Sequence, residues 1–452
     1  MNPRQIAQPY VRVQILTRDK LLEGTQRVVS VETRKSLREA AGTWSVEIKP
    51  QTRGELRFWE ENISPMDVVA IDMGSAGHQV MLGIVDRPAR SIQATGAGAT
   101  TDSFTLSGRD MGKVFLVDTV QYYPTLADSA WSQQFPLPLM QIDTMEFRGK
   151  PIATAVEYIC ENMPVVDTRL PGGHSIREFF DYTSRIEQYP EDRVWNEGLS
   201  CYTGPVWNYL EACYDPHFYL ATVQSGWATR KAYLTIRPWP YDEGGPFSWR
   251  QAKTFASPGH QYHRLRRDDI LSQNTAKSDA DVKTVYQVLP DGWSVAVQSF
   301  VDVFRPLVAD GTAQEGADGS VQTEDLTTRF GWRPMTVTSH LLPQGAFGTK
   351  DEAGDVVVGE SNVNAITHCQ RRRDKAYQWH HENDRLYSGQ ISVRGRPQIR
   401  EGDYVFSEWD GRLYMVESVS NSWQAHQAPF RTTLEVSRGK ARRVESARGW
   451  AA

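Results

Sequence analysis

Alternation of apolar and polar residues dominates the first hundred positions of the chain. Turn-forming stretches (EGT, REAAGT, GSAGH and ATGAGATTD) separate the alternating runs. Because successive side chains of a strand point to opposite faces, this pattern is typical of half-buried antiparallel strands. Several short strands at such spacing predict a compact sandwich or barrel. The runs are Val11/Val13/Ile15, Trp44/Val46/Ile48, Val69/Ile71/Met73, Val80/Leu82/Ile84 and Phe104/Leu106.

Helical spacing follows after residue 110. The stretch PIATAVEYICENM (151–163) has Pro151 at a first helical position and apolar residues three and four apart, so it predicts a helix. VWNYLEAC (206–213) predicts a second helix, and FYLATV and KAYLTIRPWP predict strands. The region 111–260 is therefore interpreted as an inserted α/β domain.

The last third of the chain combines loops, one long helix and a return to strands. Residues 308–360 are rich in Gly, Asp and Thr, which favours exposed loops. The following stretch, NVNAITHCQRRRDKAYQWHHENDRLY, predicts a helix capped by Ser361 or Asn362, with an apolar stripe that includes Cys369, Ala376 and Trp379. RTTLEVSRG near the end predicts a final strand, and the polar tail after it is expected to be flexible.

A small β-module occurs twice, more than 300 residues apart. Each copy begins with a strand that opens on Asp and continues with a turn, a return strand and a third strand. The order is the same in both copies, and only the loop lengths differ. In the second copy Asp410-Gly411 predicts a two-residue hairpin turn. The first copy comprises 67–69, 81–85 and 103–108, and the second comprises 403–405, 413–419 and 431–438.

Composition narrows the class of protein. The chain has 452 residues, which suffice for two to four domains. Hydrophobic residues make up 40% of it and the mean hydropathy is −0.51, which predicts a soluble globular protein with hydrophobic cores. Fifty basic and 55 acidic residues give a net charge of −5, which does not favour a dedicated nucleic-acid binder. The N-terminal MNPRQIAQPYVRV lacks the apolar segment of a signal peptide, and no run of 18 apolar residues occurs. We therefore expect no membrane insertion and assembly in a cytoplasm.

The cysteine and histidine residues are the candidates for catalytic or metal-binding groups. The four cysteines form no CxxC pair, so neither a disulfide framework nor a structural zinc site is expected. Cys201 with His217 could form a hydrolase pair, but LSCY lacks the Asp-Cys-Ser run of cell-wall peptidases, and a buried structural thiol is the preferred interpretation. Four further groups on the long predicted helix do not converge on one ion, so solvated or interfacial histidines are expected there. These groups are His368, Cys369, His380 and His381.

The charged runs favour surface positions. Arg371, Arg372 and Arg373 fan out over most of a helix circumference, which favours a solvated face or a salt bridge between subunits over nucleic-acid binding. The acid pairs Glu60-Glu61 and Glu191-Asp192 are not placed at the separation that glycosidases need, so a wet surface is expected for them. No catalytic, cofactor-binding or metal-ligating residue is predicted, no cofactor is expected, and the chain is not expected to be an enzyme.

In the order of several motifs, the sequence resembles the phage tail baseplate hub family. These are the late-control hub proteins of contractile tails, and they are related to type VI secretion spikes and tail-tip proteins. The resemblance covers about residues 10–110 and 215–440 and leaves 308–360 unassigned. Each motif is short, and their order and spacing are more specific than any one of them. The motifs are AAGTWSVEI, VMLGIVDR, FTLSGRDM, DILSQNTAKSDADVKTVYQV, SGQISVRGRPQIREGDYV, MVESVSNSW and TTLEVSRG.

The resemblance implies an α+β, β-rich fold with two similar antiparallel, tail-tube-like β-barrel domains plus inserted α/β domains. It also implies a homotrimer in which duplicated barrels reconcile a six-fold tube with a three-fold spike. The expected partners are the central spike, tail tube, tape measure and other baseplate proteins, with DNA passing through the lumen without specific binding. The predicted divisions are 1–110 (first barrel), 111–260 (inserted α/β domain), 261–300 with 385–440 (second barrel), 301–384 (inserted segment with a helix) and 441–452 (flexible tail).

The sequence thus predicts a structural virion protein at the tail baseplate or tip, which joins tube to spike and continues the DNA channel. Two alternatives stay open. One is a hub with a peptidoglycan-degrading activity in the 111–260 domain. The other is a spike or hub component of a secretion or contractile-injection apparatus.

Overall fold

The structure is a computed structural model, and it describes most of the chain. The described residues are 10–17, 20–24, 27–74, 78–94, 100–121, 149–161, 175–194, 203–225, 231–239, 262–290, 307–308, 326–343, 360–425 and 430–441. Statements about the fold below refer to these residues.

Strands dominate the described residues. In the first part of the chain they are β1 (Tyr10–Leu16), β2 (Leu21–Glu23), β3 (Val28–Ser36), β4 (Thr43–Ile48), β5 (Val68–Gly74), β6 (Gln79–Ala94), β7 (Thr100–Asp110) and β8 (Thr119–Gln121). The middle holds β9 (Phe180–Ile186), β10 (Asp192–Val194), β11 (Thr203–Pro205), β12 (Tyr219–Ser225) and β13 (Ala232–Pro238). The remainder are β14 (Tyr262–Leu265), β15 (Ile270–Lys277), β16 (Val285–Pro290), β17 (Leu307–Val308), β18 (Pro334–Ser339), β19 (Leu341–Pro343), β20 (Tyr387–Arg394), β21 (Tyr404–Ser407), β22 (Arg412–Gln424) and β23 (Arg431–Ala441).

The helices lie between the strands. They are α1 (Arg53–Asn62), α2 (Lys113–Val117), α3 (Ile152–Glu161), α4 (Ile176–Phe179), α5 (Val206–Tyr214), α6 (Leu326–Phe330) and α7 (Glu360–His380), with a 3₁₀ turn at Arg267–Asp269. The three helices predicted from spacing are confirmed as α3, α5 and α7. Helix α1 was not predicted, although Thr52 caps it by accepting a hydrogen bond from the Glu55 amide at 3.1 Å.

One strand order occurs twice in the large sheet. The first unit is β3-β4-β7-β6-β5-β1, and the second unit is β15-β20-β23-β22-β21-β14, each with its members in the same sequence order. One difference separates them: β1 runs antiparallel to β5, whereas β14 runs parallel to β21. The repeat predicted from three strands therefore extends over six.

The two units also share two of their register shifts. A register shift at Val28/Ser30 in the β3–β4 pair has its counterpart at Ile270/Ser272 in the β15–β20 pair. A second shift follows Val85 in the β6–β7 pair and recurs after Val416 in the β22–β23 pair. Bulges bend a strand at a defined place, so matching bulges give the two units the same local shape.

The turn that opens the fourth strand of each unit, β5 or β21, is built in the same way twice. The Asp67 carboxylate accepts a hydrogen bond from the Ser64 amide at 2.8 Å, and the Asp403 carboxylate accepts one from the Arg400 amide at 2.8 Å. The preceding residue has positive φ in both copies, 76° at Met66 and 83° at Gly402. Both aspartates are buried, so each is a fixed part of its turn.

Side-chain volume is redistributed between the units. In the first unit Trp44 lies so close to Gly83 and Gly108 that a Cβ on either would meet its ring, at 2.5 and 2.7 Å. In the second unit the register places Gly389 at the position of Trp44 and Tyr414 at that of Gly83. A large ring on one strand in the first unit is thus replaced in the second unit by one that lies two strands away in the sheet, which keeps the interior filled.

The described strands do not close into a barrel, so the two predicted barrels are not seen as such, and the structure instead has a β-rich fold with a large, mainly antiparallel sheet. Smaller sheets flank it: β12-β13-β9, β17-β16-β18, β10-β19 and β11-β8. The predicted boundaries place β16 in the second barrel, whereas it pairs with β17 and β18. Residues 441–452, predicted to be a flexible tail, lie outside the described residues except for Ala441.

Candidate functional site

The two units join edge to edge through β22 and β3. The far half of β22 pairs antiparallel with β3 from Ser418↔Ser36 to Gln424↔Ser30. Backbone hydrogen bonds flank this pairing, from the Leu37 amide to the Glu417 carbonyl at 2.9 Å and from the Ala425 amide to the Val29 carbonyl at 2.7 Å. A ladder of this kind makes the two units one continuous sheet.

Buried polar contacts tie strand β12 to both units next to this joint. The Lys35 ammonium pairs with the Asp110 carboxylate at 3.0 Å and donates to the Val223 carbonyl at 2.5 Å. On the other unit, the Thr222 hydroxyl donates to the Glu401 carboxyl group at 3.2 Å. Burial raises the pKa of Glu401. The inserted strand is therefore fixed to the first and second units by side chains that are out of water.

Arg372 of α7 holds a second buried network. Its guanidinium donates to the Asp192 carboxylate at 2.6 Å, to the Asp215 carboxylate at 2.8 Å and to the Ser339 hydroxyl at 2.8 Å. Tyr219 donates a further hydrogen bond to Asp192. The network joins α7 to β10, to the end of β18 and to the turn that precedes β12, so it fixes the long helix against the inserted elements.

Burial and neighbouring charges both shift the pKa values of groups in this network. Although burial alone opposes the guanidinium charge, Asp192 and Asp215 raise the pKa of Arg372. Burial raises the pKa of Asp215, and Arg372 opposes that rise. For His368, burial and then the Arg372 charge lower the pKa to about 3, so its imidazole is neutral at physiological pH.

A cleft of about 710 Å³ opens between the inserted elements and the second unit. Its aromatic lining is largely engaged with other side chains, since Trp239 packs against Trp379 at 6.1 Å between ring centroids and Arg438 covers the Trp379 ring at 3.7 Å. Glu211 accepts a hydrogen bond from the Trp207 indole at 2.8 Å, and burial raises its pKa. These contacts describe a packed joint whose lining includes a carboxyl group with a raised pKa.

Two sequence interpretations are wrong. Arg372 is 4% exposed and Asp192 is 1% exposed, so neither lies on a solvated surface. Arg371 and Glu191, their chain neighbours, are exposed as expected. The apolar stripe of α7 contained the signal, because Arg372 lies three residues after Cys369 and four before Ala376 and therefore shares their face.

The other residues that the sequence offered as catalytic, metal-binding or surface groups lie in separate parts of the molecule. His217 lines the cleft, but Cys201 lies outside the described residues, so the hydrolase pair is not tested. His368 is buried rather than solvated, whereas His381 stacks on Tyr377 at 4.9 Å. Glu61 pairs with Arg57 and Glu60 with Arg90, at 2.7 and 3.5 Å, on the outer side of α1.

The described thiols are inert and the described acids and histidines do not cluster. Burial raises the pKa of Cys160, and it raises those of Cys213 and Cys369 to about 12. A thiol is reactive mainly as the thiolate, so these three are structural. Within the described ranges, no three His, Cys, Asp or Glu side chains lie close enough to hold a metal ion, and no helix is long and apolar enough to cross a bilayer.

Comparisons with known proteins identify solved structures that share this fold. No protein-family model matches the chain, and no curated protein matches it in sequence. Among solved structures, the chain is similar to a tail protein from Neisseria meningitidis MC58, with 11% identity and a TM-score of 0.51 over 94% of this chain and 96% of that one. It is also similar to the 43 kDa tail protein of prophage MuSo2 from Shewanella oneidensis, with 12% identity and a TM-score of 0.50 over 94% and 98%.

A third solved structure, an Escherichia coli component of the type VI secretion system, shares 8% identity with a TM-score of 0.40 over 94% of this chain and 77% of that one. The first two likenesses extend over nearly the whole of both chains, so this protein has the fold of tail proteins. The predicted resemblance to tail hub proteins is confirmed at the level of the fold.

Proposed function

We propose that the chain is a structural tail protein: a trimeric baseplate or tail-tip hub that joins a six-fold tail tube to a three-fold central spike. In this proposal each six-strand unit takes the place of one tube subunit, so three chains present six similar units. The two units close into tube-like barrels within the assembled ring. The inserted elements face the other baseplate proteins, and the assembled protein resides in the virion tail.

The observation that carries the proposal is the internal repeat. The units agree in strand order, in the place of two bulges and in the turns at Asp67 and Asp403. They are also joined side by side through β22 and β3. A chain with two like units can match a partner that has twice its symmetry, because interfaces must follow the symmetry operators of both partners.

The buried networks support a mechanical role. Lys35 and Arg372 are held by buried carboxylates, and the three described cysteines are buried with raised pKa values. Such contacts fix the units and the inserted elements relative to one another. We propose that the chain catalyses no covalent step, and that its net charge of −5 helps DNA to pass a lumen without adhering.

Multi-angle light scattering after size exclusion tests the proposal. Three chains of 51.2 kDa give about 154 kDa, and the trimer fraction should rise with protein concentration because association follows mass action. Added tail tube protein should then form rings or short tubes capped by the trimer under the electron microscope. A protein that remains monomeric or strictly dimeric at every concentration would overturn the proposal.

A further inference from the structure

Among the described strands, β6 has one edge that is covered over only part of its length, and β15 has one edge with no neighbouring strand. Strand β6 pairs on one side with β7 from Gly83 to Ala94, whereas β5 covers its other side only from Gln79 to Ile84. Residues 87–94 of β6 therefore have a neighbour on one side among the described strands. Strand β15 likewise pairs with β20 alone. Exposed backbone donors and acceptors on such edges are templates for a further strand.

The counterparts of these two edges in the repeat are already paired with each other inside the chain. In the repeat, β22 of the second unit corresponds to β6, and β3 of the first unit corresponds to β15. The far half of β22 is covered by β3. The open edges of β6 and β15 are thus the counterparts of a pair that the protein itself forms.

We propose that residues 87–93 of β6 pair antiparallel with β15 of a second copy of this chain, in the register of the β22–β3 joint. The inference rests on the proposed hub, since it names the strands that would join its subunits. Transferring the observed register through the repeat gives Arg87↔Ser278, Ala89↔Ala276, Ser91↔Asn274 and Gln93↔Ser272, with Pro88↔Lys277, Arg90↔Thr275 and Ile92↔Gln273 between them.

The sequence of β15 fits this role. Its last part reads TAKS (275–278), and the equivalent part of β3, which makes the internal joint, reads TRKS (33–36). The bulge after Val85 recurs after Val416, so both long strands enter their far halves with the same bend. Their edges therefore present the same shape to an incoming strand.

Pro88 removes one hydrogen bond from the ladder. Its counterpart Val419 lies opposite Lys35, two residues from the bonded Leu37–Glu417 pair, so its amide points towards β3. The ring nitrogen of Pro88 accordingly points to the open edge and leaves the pairing with β7 intact. Proline is tolerated at such an edge position, and the remaining donors and acceptors are available for pairing.

A disulfide reports the register directly. Ala89 and Ala276 occupy the positions of Ser420 and Arg34, a pair of the closer, non-hydrogen-bonded type. The Arg34 side chain is 49% exposed, so this face of the joint is open to solvent and tolerates substitution. In the full-length variant A89C/A276C, oxidation should link neighbouring chains, and the ladder on a non-reducing gel should end at three chains.

A displaced pair is the matched control. In A89C/S272C the second cysteine stays on the same face but four residues away, about 13 Å along the strand, which is beyond disulfide reach. We expect at least tenfold less cross-linking in this variant than in A89C/A276C. The unmodified chain and the single variants A89C and A276C, which should not form the ladder, report any background from native thiols.

The outcomes separate the two proposals. A trimer by light scattering without A89C/A276C cross-linking would overturn the strand pairing and leave the trimeric hub intact. Equal cross-linking in A89C/S272C would overturn the register. A chain that is monomeric at every concentration would overturn the hub and the pairing together.

Discussion

At the scale of single residues, Arg372 joins two buried carboxylates, and removing one partner from such a network leaves uncompensated charge in the interior. Replacing it in R372L should lower the free energy of unfolding by about 3–5 kcal/mol. Urea unfolding followed by tryptophan fluorescence measures the loss. Both Asp192 and Asp215 would be left without the guanidinium that they share.

The neighbouring Arg371 provides the control. It is exposed on the same helix, so R371L should change the free energy of unfolding by no more than about 0.5 kcal/mol. Similar losses in both variants would show that the effect comes from helix α7 in general rather than from the buried network.

His368 predicts a dependence of stability on pH. Its folded-state pKa of about 3 lies below its ordinary value of 6.5, so the unfolded chain binds a proton that the folded chain excludes. The stability that this adds is present above about pH 6.5 and is lost as pH falls towards 3, at about 1.4 kcal/mol per pH unit. Between pH 6 and 4, H368Q should have a slope shallower by about one proton than the unmodified chain. Equal slopes would contradict a buried neutral imidazole.

Residue-scale features were the least predictable from sequence. Three successive arginines give no sign of which one turns inward until the apolar stripe of the helix fixes its rotation. Asp192 lies beside Glu191 in the sequence, and the partner that buries it is far along the chain. Such long-range pairs arise from packing of elements and leave no local pattern.

At the scale of elements, the repeated turn at Asp67 and Asp403 requires a positive φ just before the aspartate. Gly402 adopts 83° there, and an L-residue in this region costs about 1–2 kcal/mol. G402A should therefore lower the free energy of unfolding by about that amount, as measured by urea denaturation.

Gly54 offers a control of opposite sign. It lies in the first turn of α1, where an added Cβ would have its nearest neighbour at 3.9 Å. Alanine is the better helix former, so G54A should raise stability by up to about 1 kcal/mol. A stabilising effect of G402A would mean that the turn does not need its left-handed residue.

The period of the apolar pattern predicted many of the strands and the helices α3, α5 and α7. It did not predict that β22 would extend to Gln424 and pair with β3, because the alternation of a strand is the same whether its edge is free or covered. Pairing partners are set by the whole sheet, so the joint between the units could not be read from either strand.

At the scale of the whole molecule, the duplication was visible in the sequence as two short meanders, and the structure extends it to six strands in each unit. The attachment of the inserted elements through Lys35 and Arg372 was not predicted. In the proposed trimer this arrangement gives a ring of six similar units, because each chain contributes two of them.

The β22–β3 joint has a consequence for how a ring would nucleate. In a ring of three chains, every second contact between units is closed within a polypeptide, where covalent connection keeps the partners at a high effective concentration that dilution cannot lower. A closed collar then needs only three molecules to meet, whereas six separate subunits would have to lose far more translational freedom. Fusing two units into one chain thus makes the first ring easier to start than the later rings that stack upon it.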